Sequence, residues 1–237
     1  MSDLDAGKPA QDPAPPSTLK QVQRFLLRDS HDRFLAWTLT CFVPLARQPS
    51  RQCTAKKPLA AAMMAAKEGL KADNQICKVI ADACKHLEAI IALKNDVVAE
   101  ARHKKPTQVT EQRGVSRDTI GMAIREWGGH WRSSVVFALL TEVLESSSPE
   151  DKWVLIEEYA NWLEEVERLG LLDVDKLTPL VNGKHLATAM DGVKAGPWTK
   201  KALDIAMAWQ LRHPEATKPD EGINEVLNRK AELGLPT

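Results

Sequence analysis

The chain reads as all-α, an antiparallel array of helices, and three observations predict it. Apolar residues recur every three or four positions in segment after segment, the period of a helix with one face turned to a core. No segment alternates apolar and polar residues with period two for long enough to make a strand. Composition agrees: the 237 residues include one Tyr and are rich in Ala, Leu, Lys and Glu, which lose little on entering a helix. Connections between the periodic segments are short, so successive helices are expected to pack as neighbours.

Met1 to about Pro16 lack an apolar period and are expected to be disordered. That segment carries Asp3, Asp5 and Asp12 and no Arg, the pattern of neither a mitochondrial presequence nor a secretory signal. An intracellular location is expected, with cytoplasm, nucleus and mitochondrion unresolved. Helical patterning runs from Ser17 to Ala46 with a polar break at Arg28-Asp29-Ser30-His31-Asp32. Phe34, Leu35, Trp37, Thr38, Cys41 and Phe42 then predict a hydrophobic helix ending near Pro44. The loop from Arg47 to Lys57 carries Arg47, Arg51, Lys56 and Lys57 and no acid. An Ala-rich helix from Pro58 closes at Glu68-Gly69-Leu70-Lys71.

Asp73 is placed to cap the longest helix, to about Arg102, with Ile76, Val79, Ile80, Ala83, Leu87, Ile90, Ile91, Val97 and Val98 facing the core. Ser116-Arg117-Asp118 starts the next helix, which Gly128-Gly129 ends, and another runs from His130 to about Ser146. Ser148-Pro149-Glu150-Asp151 combines a capping hydroxyl, a first-turn proline and acids near the positive end of the helix dipole. The helix it opens holds Trp153, Ile156, Tyr159, Ala160 and Leu163 and stops at Gly170. Asn182-Gly183 starts a short helix with Leu186 and Met190 on one side, and Gly192 stops it. Pro197 begins a helix expected to bury Trp198, Ala202, Ile205, Trp209 and Leu211, with Lys200, Lys201 and Asp204 outside. Pro219-Asp220-Glu221 starts the last one.

Formal net charge is zero, so the whole-chain balance favours no partner, but its distribution is uneven. Residues 142–168 are acidic, whereas 47–71 and 102–117 are basic. No apolar run approaches the length of a membrane span. Cys41, Cys53, Cys77 and Cys84 form no CxxC pair, and Cys77 and Cys84 fall two turns apart on one helix face. Buried thiols fit that spacing better than a metal site or disulfide. The histidines offer no ligand set, so no metal is assigned.

Several segments together resemble a family. NGKHL (182–186) with GPWTKKALDIAMAWQL (196–211), DRFLAW (32–37) with Val43-Pro44, EGLK (68–71) and RDTIGMAIREWGGHW (117–131) occur in the order found in fungal-type tRNA nucleotidyltransferases, the CCA-adding enzymes. The likeness spans roughly Phe25 to Leu233. It implies a neck/body helical region over 17–146 and a body/tail region over 147–237, holding tRNA by shape and backbone contacts. The family's catalytic head, with its paired aspartates, two Mg²⁺ ions and CTP- and ATP-selecting helix, would stand ahead of this region. The resemblance thus assigns no catalytic residue and no cofactor to this chain. It implies tRNA as partner, with a catalytic head in cis or in trans, and a chain inactive alone.

Two look-alikes do not match the head. Asp173-Val174-Asp175 lies in a connector, and Glu164-Glu165-Val166-Glu167-Arg168 lies on the polar side of a helix end. Candidate RNA contacts are Arg47, Arg51, Lys56, Lys57, Lys71, Lys104, Lys105, Arg113, Arg117, Lys184, His185, Lys200 and Lys201, cations able to displace counterions from a phosphate backbone. The competing readings are ordinary solvated faces, a cap for His185, and, for the chain, a helical scaffold without RNA contact.

Overall fold

The computed structural model describes residues 17–48, 61–103, 115–190, 193 and 196–233. The segment expected to be disordered, Gly192 and most of the basic loop lie outside the described residues. The helices are α1 (Ser17–Leu26), α2 (Ser30–Thr40), α3 (Ala61–Met64), α4 (Asn74–His103), α5 (Arg117–Trp127), α6 (Trp131–Glu145), α7 (Pro149–Arg168), α8 (Gly183–Ala189), α9 (Pro197–Arg212) and α10 (Asp220–Asn228). A 3-10 turn, Val43–Leu45, follows α2, and a π-helical turn, Ala65–Gly69, closes α3. There is no strand among the described residues. No helix among them is long and apolar enough to cross a membrane.

The helix ends follow local chemistry. The Asp73 carboxylate accepts from the Ile76 N–H at 2.8 Å and the Ser148 hydroxyl from the Asp151 N–H at 3.0 Å, each satisfying a donor with no partner inside the helix. Asn182 accepts from the N–H groups of Lys184 and His185. Gly170, at φ 66°, ends α7: its N–H reaches the Glu167 carbonyl while that of Leu171 reaches Val166, a Schellman closure. Ser116 departs from expectation, since its hydroxyl meets that of Thr119 at 2.8 Å rather than a backbone N–H.

A main core gathers around α6, whose residues Trp131 to Leu139 are all buried. Helix α4 lies along it, and α2 and α7 pack on it as well, with α1 against α7. A second core joins Val181, Leu186, Met190, Ala202, Ile205, Ala206, Val226 and Leu233. Met207 and Leu211 of α9 belong to the main core instead.

Four aromatic residues lie outside the buried core, and for Trp198 this corrects the expectation of burial. Phe34 and Trp37 are 57% and 78% exposed, and Cys41 is also exposed. Helix α2 is apolar on two sides and rests on α6 only through the side carrying Leu35 and Leu39. Trp153 is 45% exposed, because it precedes the stretch of α7 from Tyr159 onward that is buried. Trp198 is half-buried, at the opening turn of α9, while Trp209 is buried and stacks on the His213 ring at 4.7 Å. Of the thiols, Cys77 is buried, and burial pushes that of Cys84 up to about 11.

Candidate nucleic-acid interface

The arginines of α5 and α6 build the frame before any charge is free to meet a ligand. Arg117 donates through Nε to the Leu169 carbonyl at 2.9 Å and through its other arm to the Leu211 carbonyl. Arg125 donates to the carbonyls of Val174 and Leu177, both at 2.7 Å. Arg132 donates to Leu172 and lies 3.7 Å from Asp173. Apart from Leu211 at the end of α9, these acceptors are carbonyls of the connector between α7 and α8, which lacks a continuous helical ladder to satisfy them. Burial lowers the pKa of each.

The rest of the RDTIGMAIREWGGHW segment is equally structural. A Cβ on Gly121 would stand 2.9 Å from Leu211 Cδ1 and 3.3 Å from Leu171, so α5 and α9 approach too closely there for a larger residue. Ile124 and Trp131 are fully buried, and Gly128 turns the chain at φ 76°.

The acidic stretch 142–168 is largely engaged. Lys94, 1% exposed, sits 3.3 Å from Glu142 and 3.0 Å from Glu158. Tyr159 donates its hydroxyl to Glu142 at 2.7 Å, and Arg102 reaches Glu158 at 2.7 Å. Burial, with Glu142 beside it, drives the Tyr159 pKa strongly upward. Gln21 and Arg24 of α1 meet Glu164 and Glu167. The two look-alikes are tied down as well: Glu165 pairs with Arg168 within α7. Asp173 pairs with Lys176 on the 3-10 turn Val174–Lys176.

Among the candidate RNA contacts, Arg51, Lys56, Lys57, Lys104, Lys105 and Arg113 lie outside the described residues. Arg47 bridges Glu88 of α4 and Glu145 of α6 at 2.9 and 3.1 Å. Arg117 is committed to two carbonyls. Lys201 donates to the Glu232 carbonyl at 2.6 Å, and the His185 ring accepts from the Asn182 N–H at 3.4 Å as half of a capping box. Lys71, Lys184 and Lys200 are exposed and have no ion pair among the described residues. Lys184 and Lys200 stand on α8 and α9, which pack together.

The sequence reading missed Lys78 and Lys85 of α4. Both are exposed and likewise without an ion pair among the described residues. Seven residues apart, they fall on one side of the helix about 10.5 Å apart along its axis. The signal was present as a lysine at 71, 78 and 85, but only the buried side of α4 was read for period. Among the candidate and newly noted cations, those left without an ion pair among the described residues are Lys71, just before α4, Lys78 and Lys85 on it, and Lys184 and Lys200 in the tail.

Comparison with known proteins brings in relatives. The chain is 32% identical to the nucleotidyltransferase lcsQ of Purpureocillium lilacinum over 86% of its own length and 39% of that protein's. It is 28% identical to the tRNA nucleotidyltransferase cca1 of Schizosaccharomyces pombe over 60% of its length and 29% of that protein's. Identity to the mitochondrial CCA tRNA nucleotidyltransferase of Saccharomyces cerevisiae is 26%, over 64% of this chain and 26% of that one. The chain thus spans less than half the length of these curated relatives, matching their C-terminal part. No family profile and no solved structure matches it.

Proposed function

The chain is related to the C-terminal part of fungal nucleotidyltransferases, CCA-adding enzymes among them, and from that premise we propose that it is the tRNA-holding portion of such an enzyme. Nucleotide addition would belong to a preceding portion, working in cis or in trans. The similarity to the tRNA nucleotidyltransferases of Schizosaccharomyces pombe and Saccharomyces cerevisiae, over 60% and 64% of the chain, carries the reading. Exposed lysines support it: Lys71, Lys78 and Lys85 before and along α4, and Lys184 and Lys200 on α8 and α9, leave their ammonium groups to solvent. Folded RNA is held largely through phosphates and 2′-hydroxyls, and lysines of this kind suit it because each phosphate contact releases counterions.

The test is titration of the chain with tRNA at several salt concentrations. Binding is expected, with log K falling linearly against log salt. Absent or salt-independent binding would bring forward the helical-scaffold reading.

A further inference from the structure

Helix α2 has two apolar sides, and among the described residues α6 is its main neighbour. Its inner side places Leu35 and Leu39 against the core, whereas Phe34 and Trp37, 57% and 78% exposed, project outward with Cys41 one turn further on. A bared aromatic pair on one side of a helix marks a contact surface. Among the described residues, charge argues against RNA as the occupant. Arg33 is the one arginine of the exposed side of α2, and Arg47 beyond it is held by Glu88 and Glu145. Area argues against a second copy of this chain. Two aromatic rings offer on the order of 300–500 Å² even if wholly bared, short of the ~800 Å² per partner of a stable free association. A portion of the same enzyme needs less, because contact within one molecule or assembly proceeds at a high effective concentration. The relatives have room for such a portion: the match to lcsQ covers 39% of that protein and lies in its C-terminal part, leaving a large part ahead of it.

We infer that the outer side of α2, centred on Phe34 and Trp37, is the seat of the nucleotidyltransferase portion that precedes this region. The inference rests on the reading above, that the chain works with such a portion. Cys41 reports on the seat, because it is exposed there and its thiol points back to the Trp37 carbonyl at 3.8 Å.

The experiment measures iodoacetamide labelling of the Cys41 peptide by mass spectrometry. The full chain is used alone, fused behind the part of lcsQ that precedes its matched region, and co-expressed with that part. Labelling is expected to be fast in the chain alone and at least about tenfold slower in one or both of the other formats. The Phe34→Ser/Trp37→Ser variant should restore fast labelling while the isolated chain keeps its melting temperature and tRNA affinity.

Equal labelling in all three formats overturns the inference. So does labelling of the isolated chain that slows with its concentration, which would indicate a second copy. A large drop in the isolated variant's melting temperature would assign the face to this fold, and a loss of its tRNA affinity would assign it to RNA. Protection of Cys41 without any tRNA binding would defeat the tRNA-holding reading and leave the seat standing.

Discussion

Lys94 is a charged residue taken into the apolar side of α4. It falls on the buried side of α4, between Leu93 and Val97, and its charge is met by Glu142 and Glu158 from two other helices. Lys94→Ala would leave two carboxylates facing a hole, and a loss of about 3–5 kcal/mol is expected in urea unfolding. Replacing all three by Met, Gln and Gln should recover most of it, since a neutral packed cluster costs less than a broken ionic one. Asp118 contributes to the acid limb of stability. Burial works against its charge, but hydrogen bonds from Ser116 and Arg212 outweigh that and hold its pKa below the ordinary value. Its contribution is therefore complete above about pH 4 and is lost as pH falls through the lower folded value. Asp118→Asn should flatten that part of the stability–pH curve measured by urea unfolding, and an unchanged curve would contradict the assignment.

At the scale of elements, starts and stops were legible because capping is local chemistry. Asp73, Ser148, Asn182 and Pro197 each stand where a helix begins, and each needs only its neighbours to act. Facing was less legible. Phe34 and Leu35 are adjacent and similar in hydropathy, and only the position of α6 decides which one is covered. The same limit applies to Trp198 and Trp209, whose eleven-residue spacing puts them on one side of α9 without saying how far along it the core extends. Trp209→Ala should cost about 3–5 kcal/mol, and Trp198→Ala clearly less; equal losses in denaturant midpoint would mean that both rings are core. Gly121→Val tests the close approach of α5 to α9, and a loss of about 1–3 kcal/mol is expected from overpacking against Leu211.

For the whole molecule, the fold class followed from composition and period, but the candidate interface did not. A basic residue in a list says nothing of whether its charge is spent, and Arg47 and Arg117 prove to be spent on ion pairs and carbonyls. Lys78 and Lys85, unspent, become visible only once the dry side of α4 is known. If they meet phosphate, Lys78→Gln/Lys85→Gln should weaken tRNA binding and lower the log K against log salt slope by roughly 0.7–0.9 per lost contact, at unchanged melting temperature. Equal slopes for wild type and variant would place the contact elsewhere.

Helix α9 contributes Ala202, Ile205 and Ala206 to one core and Met207 and Leu211 to the other, and Arg212 clasps Asp118 and Glu225 at its end. A rod of sixteen residues, about 24 Å long, is thus anchored at both ends in different bodies, with no joint between its anchor points. The tail cannot swing as a pendulum; it can only tilt together with α5, like the arm of a crane fixed to its mast. Heat should consequently melt both bodies in one calorimetric transition. Two transitions, or early exchange of α8 and α10 amides with α9 still protected, would reveal a hinge that the shared rod does not permit.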